Sequence, residues 1–495
     1  MEINFETEKF RYYGRLYCSD VIHEETSEMI VPDSMPDVRA VADADGMVYM
    51  RSKEAQNGRF LISGVMELFV LYEPEGESGY RRLALQAPFS ISCACPGLTS
   101  LGRISASVRL SSADVRIVNS RKLLLRCELY VSAAAYLPQE ITYIPYPDEN
   151  NLPLELLKSE YELFPVVDVT EKTFSISEIS QIPSSKPPLG QLVKTRVRFG
   201  EEESECIGSR LIVKGSAYVT AVYTSSNSGE LCSTDIRTPF SVIIETDGEG
   251  GDAEFDNMVM LTGSGIRANE NGEIEVEIAG VVQTAVCRKR NILCVSDAYS
   301  VNYIADTSSE RVPIERNGAC EKSGETLRIT AESAKSIKSI IDCRGAVSKP
   351  RYENGGFGAY ASVRVLCSDD SGAVFTVNAE KEWRGPAGAY ALETGEVYVS
   401  QSPEGAEARI PVSYMRPSNE RSELIFLTGA EIDEEKTRVR DGMPSITVFR
   451  ASEKDSIWTL GKRYGVSSGE IKAANGMDGG EEIEPGKLIL ISKHR

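Results

Sequence analysis

GVMELFVLY, residues 64–72, decides the fold: Met66, Leu68, Val70 and Tyr72 fall on one side of an extended chain, Glu67 and Phe69 on the other. Successive side chains of an extended backbone point in opposite directions, so a period of two marks a strand with one face against a core. The stretch returns as GSAYVTAVY at 215–223, with Ala217, Val219, Ala221 and Tyr223 inside, and as AYASVRVLC at 359–367, with Ala361, Val363, Val365 and Cys367 inside. The intervening positions vary as an exposed face should: Tyr218 and Thr220 in the second, Ser362 and Arg364 in the third.

Outward from this strand the first two copies match without a gap. Ser34 and Pro36 recur as Ser185 and Pro187, Gly64 as Gly215, and Pro88-Phe89 as Pro239-Phe240. Val115-Arg116 returns as Ile266-Arg267, and Leu123, Leu125 and Cys127 as Ile274, Val276 and Ile278, all at an offset of 151 positions. The third copy is more divergent and needs a shifted register. After each strand a polar, glycine-containing turn follows, at Pro74 to Gly79, Ser225 to Gly229 and Ser368 to Gly372, where a hairpin reverses.

The spacing predicts three all-β repeats, at 31–140, 181–300 and 331–435, after an N-terminal segment at 1–30. Sandwich and barrel both give many short alternating strands, so both fit. Proline-punctuated connectors are predicted at 141–180 and 301–330, the first with a short helix from Pro153 to Tyr161. A chain of 495 residues is expected to hold several cores, and its 41% hydrophobic and 26% charged residues suit folded domains.

From Ser445 the texture changes to strand, helix, helix, strand. Val448 and Arg450 sit in the first strand, Ser456 to Tyr464 and Ser467 to Ala474 form the helices, and Leu488 to Ile491 closes a small α+β (βααβ) domain at 446–492. Asp455 or Ser456 caps the first helix, and Ser467 with Glu470 forms a capping box on the second. Gly465 and Asn475-Gly476 tolerate the left-handed backbone that ends a helix. The run Lys454 to Val466, with Ile471, Asn475, Pro485-Gly486, Ile489 and Ile491, resembles the LysM family.

That resemblance implies a shallow groove that binds N-acetylglucosamine chains, formed here by Lys454, Asp455, Ser456 and Ile457 on one side and Asn475, Gly476 and Met477 on the other. The family's usual Gly-Asp-Thr opening is Lys454-Asp455-Ser456 in this chain, and the far loop is acidic at Asp478 to Glu482. The core of the domain is expected to be Trp458, Leu460, Tyr464, Ile471 and Ile489. The β repeats, with Val31 to Pro36 leading into a Gly-strand-Tyr-turn-Pro-Phe pattern, resemble the SPOCS modules of clostridial spore-coat morphogenetic proteins. SPOCS modules followed by LysM imply a mother-cell protein at the forespore surface. Its implied partners are the coat-basement ATPase, stage IV sporulation protein A, and other coat proteins.

Charge excludes other classes. With 54 basic and 74 acidic residues the formal net charge is −20, and no basic stripe interrupts it, so nucleic acid and anionic membranes are poor partners. Met1 to Asp20 lacks the basic and apolar regions of a secretory signal, and no apolar run reaches the ~20 residues of a membrane helix. Eleven cysteines at irregular spacing read as reduced thiols; Cys93 and Cys95 have no second pair at zinc spacing.

No cofactor or metal is expected. His23 and His494 are the only histidines, which leaves no His-based triad or HExxH site, so the chain is read as non-enzymatic. Two rivals stay open: a peptidoglycan-binding wall or cortex protein, and a LysM-anchored wall hydrolase working through paired carboxylates.

Overall fold

The computed structural model describes residues 1–246, 252–315, 320–353, 356–416, 421–438, 446–477 and 483–492. The first third of the chain is β1 (Glu8–Ile30), β2 (Val38–Gln56), β3 (Arg59–Pro74), β4 (Arg81–Ala94), β5 (Arg103–Asn119) and β6 (Lys122–Tyr143). There follow β7 (Glu155–Leu163), β8 (Val166–Ser180), β9 (Leu189–Ile207), β10 (Arg210–Ser225), β11 (Leu231–Glu245), β12 (Ala253–Ala268), β13 (Ile274–Arg288) and β14 (Arg290–Tyr299). The next stretch holds β15 (Tyr303–Glu315), β16 (Glu321–Glu332), β17 (Ser339–Glu353), β18 (Gly356–Ser368), β19 (Val374–Gly385), β20 (Tyr390–Thr394), β21 (Tyr398–Ser402), β22 (Gly405–Arg416) and β23 (Arg421–Thr437). The chain closes with β24 (Ile446–Arg450), α1 (Ile457–Tyr464), α2 (Ser468–Ala474) and β25 (Leu488–Ser492).

The quoted stretches lie in β3, β10 and β18, each the middle strand of an antiparallel meander: β2-β3-β4, β9-β10-β11 and β17-β18-β19. The inner faces of the first meander and of β1, β5 and β6 meet in one apolar core that holds Phe60, Ile62, Met66, Leu68, Val70, Tyr72, Leu123, Leu125 and Leu129. Two sheets facing across a core make this unit a sandwich rather than a barrel.

The recurring glycine, proline and aromatic positions have a packing reason. Gly64 lies opposite Phe89 and Gly215 opposite Phe240 in the ladders. A Cβ on either glycine would press on that ring, at 2.6 Å from Phe89 Cζ or 2.7 Å from Phe240 Cζ, and on a neighbouring backbone carbonyl. The buried Tyr72 and Tyr223 hydroxyls donate to Pro36 O and Pro187 O at 3.0 and 2.9 Å, which ties each middle strand to the proline turn before its meander. Gly64→Ala is expected to destabilise by about 1–3 kcal/mol, since backbone cannot yield as a side chain can. Urea midpoints of Gly64→Ala and of Gly263→Ala, where a Cβ would meet only Ala279 Cβ at 3.9 Å, measure the difference.

Four sequence expectations differ from the structure. The segment set apart at 1–30 is largely β1, paired along its length with β6 from Glu8↔Tyr143 to Ile30↔Lys122. The connector at 141–180 carries β7 and β8, and that at 301–330 carries β15 and most of β16. The helix expected from Pro153 to Tyr161 is strand β7, laddered to β14. Its exposed Lys158, Glu160 and Glu162 alternate with inward Leu157, Ser159 and Tyr161, so the period is two, and β14 supplies the hydrogen bonds that a helix would have made internally.

The meanders meet at a buried layer of charge. Asp43 lies opposite Leu71 in its ladder, Lys194 opposite Val222 and Asp342 opposite Leu366; two residues further on, Asp45, Arg196 and Arg344 face Phe69, Thr220 and Arg364. The corresponding positions of β2, β9 and β17 thus converge. Lys194 Nζ sits 2.9 Å from Asp43, 3.0 Å from Asp45 and 2.8 Å from Asp342, Arg196 bonds Asp342 at 3.0 Å, and Arg344 pairs with Asp45. A further link, Lys53 to Glu171 at 2.7 Å, joins β2 to β8.

Burial alone would raise the carboxyls of Asp45 and Asp342. The facing Arg196 and Lys194 outweigh it and hold Asp342 down at about 2, and Arg344, Lys194 and Arg196 hold Asp45 well below the carboxylate range. A carboxylate depressed below its unfolded pKa of ~3.9 stabilises fully above that value and loses the contribution as pH falls through the folded value. Near-UV circular dichroism is therefore expected to stay native down to about pH 4 and to collapse between there and about 2. Asp342→Asn should flatten that limb, and an unchanged limb would contradict the account.

Candidate functional site

The C-terminal domain pairs β24 with β25, from Ile446↔Ser492 to Arg450↔Leu488, and lays the two helices on this hairpin. Ile457, Leu460, Ile471, Ile489 and Ile491 form its core, with Phe449, Tyr464 and Met477 packed partly buried against it. Both helix starts are capped in full. Ser456 Oγ accepts from Thr459 N at 3.1 Å while Thr459 Oγ1 accepts from Ser456 N at 2.8 Å. Ser467 and Glu470 form the reciprocal pair on α2. Gly465 ends α1 at φ 66° and Gly476 follows α2 at φ 61°, both left-handed.

The expected groove residues divide by role. Ile457 and Met477 share one apolar cluster, which brings the two sides of the groove together, but Ile457 is fully buried beneath it. Lys454 and Gly476 stand exposed on opposite rims, and Ser456 is spent on capping. Asp455 accepts from Ser452 N at 2.9 Å and from its hydroxyl at 2.5 Å, with Arg463 at 3.3 Å. Those Ser452 bonds hold its carboxyl below the usual range, so Asp455 closes the turn between β24 and α1. The Asn475 amide donates to Ile471 O and Leu490 O and accepts from Leu490 N, each at 2.7 Å, and so bolts α2 to β25. The acidic loop at 478–482 lies outside the described residues.

Trp458 corrects an expectation. It is buried, yet it belongs to no part of the domain's own core and faces the β body. Its indole N–H donates to Asp297 Oδ2 at 2.8 Å, and its ring meets Tyr299 edge-on with centroids 4.7 Å apart. Lys462, one turn along α1, reaches the same Asp297 carboxylate at 2.6 and 2.8 Å. Tyr299 donates to Val466 O at 2.8 Å and Arg438 to Lys462 O at 2.9 Å. Gly461, between Trp458 and Lys462, lets the Tyr299 hydroxyl approach where a Cβ would collide. One face of α1 is therefore a dock, and the rims of the groove stay clear of it.

Residues 452–492 match the LysM domain family. The chain thus carries a LysM domain, a module for carbohydrate or peptidoglycan binding or for interaction. No curated protein matches the chain. Sequence reading identified the LysM domain but missed the dock, because Asp297 lies 161 positions before Trp458. The available signal was Trp458 and Lys462 at i, i+4 on one helix face.

A second candidate, a cleft of about 520 Å³, opens where β2, β9 and β17 meet; Met47, Arg198, Met260, Val347 and Leu392 are among its lining residues. Arg196, Asp342 and Arg344, also in its lining, are already engaged in the charge layer.

Proposed function

We propose that this chain is a non-enzymatic assembly scaffold: three copies of one β module, of the SPOCS type, closed into a single body that presents a LysM domain in a fixed orientation. Three parallel sets of strand pairings support the copies. The meanders are bracketed by β1 with β6, β8 with β13 and β16 with β22, while β7 with β14 and β15 with β23 continue the second and third sets as the outer halves of β1 and β6 continue the first. In this reading the chain is akin to the clostridial proteins that interact with stage IV sporulation protein A. It works in the mother-cell cytoplasm at the forespore surface, binding that coat-basement ATPase and helping the coat to encase the forespore.

The observation that carries the scaffold reading is the dock. Trp458 and Lys462 hold α1 to Asp297 while Lys454 and Gly476 face solvent, so the groove is a presented surface on a rigid support. Pre-organisation of this kind lowers the ordering cost of association. Calorimetric titration of the whole chain with the purified ATPase tests the partner, and the same titration with N-acetylglucosamine oligomers tests the rival. Lys454→Glu is expected to weaken ATPase binding about tenfold, ~1.4 kcal/mol, with the melting temperature unchanged, as suits an exposed side chain.

The peptidoglycan-binding reading rests on the family match. Tight sugar binding with no ATPase capture would establish it instead, and turnover of muropeptides by the purified chain would sink the non-enzymatic reading.

A further inference from the structure

The cleft of about 520 Å³ where the meanders meet takes its walls from all three modules: Met47 lies on β2, Arg198 and Met260 on β9 and β12, and Val347 and Leu392 on β17 and β20. Its cations are not all engaged. Arg109 pairs with Glu393 at 2.5 Å, and Arg196 and Arg344 belong to the charge layer. The guanidinium of partly buried Arg198 instead lies 4.4 Å over the Tyr218 ring, itself in the lining, with no hydrogen bond or ion pair among the described residues. Burial pushes this guanidinium down from its ordinary value, as befits a cation with no close counter-charge. The adjoining layer sets four cations, Lys194, Arg196, Arg344 and Arg364, against Asp43, Asp45 and Asp342. Asp235 and Glu396 in the lining balance Arg198 and exposed Lys322, which leaves the region one positive charge in excess within a chain of net charge −20.

We propose that this cleft is a binding site for an aromatic monocarboxylic acid. Its carboxylate takes the open fork of Arg198, since a planar guanidinium donates two parallel N–H bonds to such a group. Its ring lies among the thioethers of Met47, Met258 and Met260, which line the cleft and favour contact with aromatic edges. Charge sets the class: a monoanion neutralises the single positive excess, whereas a phosphate dianion would bring a second negative charge among Glu393 and Glu396 of the same lining. The volume falls within the ~300–1,000 Å³ of small-molecule pockets, which likewise combine apolar walls with a few placed polar groups. Because every module supplies a wall, the bound acid favours the closed body over the unfolded chain and raises its melting temperature with concentration.

Calorimetric titration of the whole chain compares 2-naphthoate with two probes built on the same ring, neutral 2-naphthamide and dianionic 2-naphthyl phosphate. A single site for 2-naphthoate is expected, with an affinity about tenfold or more above that of either other probe. Arg198→Met, which keeps an apolar stem, should erase the preference for the acid over the amide and leave the affinity of the amide unchanged. The site is also located without any variant: in spectra of isotope-labelled methionine methyl groups, ring-current shifts should fall on Met47, Met258 and Met260 and spare Met29 and Met477. That mapping decides even where Arg198→Met fails to fold. Equal affinity for acid and amide, tighter binding of the phosphate, no saturable binding of the acid, or shifts confined to methionines outside the lining would each overturn the proposal.

Discussion

Lys194→Ala is expected to cost about 3–5 kcal/mol of stability, because it removes an ammonium group that touches all three carboxylates of the buried layer. Asp43, Asp45 and Asp342 are each nearly excluded from water, with side chains 2–4% exposed. Taking charges out of water costs several kcal/mol per ion, and only close, fully bonded opposite charges offset that. Without Lys194, the remaining cations are Arg196, Arg344 and the half-exposed Arg364, which reaches Asp43 at 2.8 Å. Wild type and the alanine variant alike are expected to be almost indifferent to added salt, since charges buried this deeply are poorly screened. Lys194→Met keeps the length of the side chain and removes only the charge, so a loss as large as alanine's would assign the effect to electrostatics. Urea midpoints measure all three proteins. A midpoint within error of wild type would mean that the layer does not hold the meanders together.

The layer also shows where the sequence stopped being legible. Alternation in GVMELFVLY, GSAYVTAVY and AYASVRVLC was readable because a strand with one buried face writes its periodicity locally. The charges on the preceding strands were not, because a charged residue on a strand ordinarily faces water and the partners of Asp43 and Asp45 lie about 150 and 300 positions away. Only when the matching positions are read as columns, Asp43, Lys194, Asp342 and then Asp45, Arg196, Arg344, does the compensation appear. β1 was missed for a related reason: most of its residues are only partly buried, so its two faces differ too little for a strong pattern. In the C-terminal domain the caps, and the core apart from Trp458, follow from local spacing, while the roles of Asp455 and Asn475 depend on bonds that no family resemblance displays.

Trp458→Ala is expected to release the LysM domain from the β body without unfolding it. The residues that hold the domain together, Ile457, Leu460, Ile471, Ile489 and Ile491, form a closed apolar cluster to which the indole does not belong. What the substitution removes is the edge contact with Tyr299 and the hydrogen bond to Asp297, leaving a void where a large ring was buried. Loss of a buried tryptophan costs about 3–5 kcal/mol, and here that cost falls on docking. Lys462 remains on Asp297, an ion pair that contributes at most about 1 kcal/mol with its lysine 41% exposed, and the hydrogen bonds of Tyr299 to Val466 O and Arg438 to Lys462 O add about 1 kcal/mol each, so what is left holds the face more weakly than the buried ring did. Hydrogen exchange separates the outcomes. Amides near Asp297 and Tyr299 should lose protection while those around Ile471 and Ile489 keep it, and Lys462→Ala should reproduce the pattern weakly. Partner affinity should fall as well, because the groove then has to be oriented at the moment of binding. Loss of protection throughout 456–474 would instead make Trp458 a core residue of the small domain, and the rigid presentation on which the scaffold reading depends would go with it.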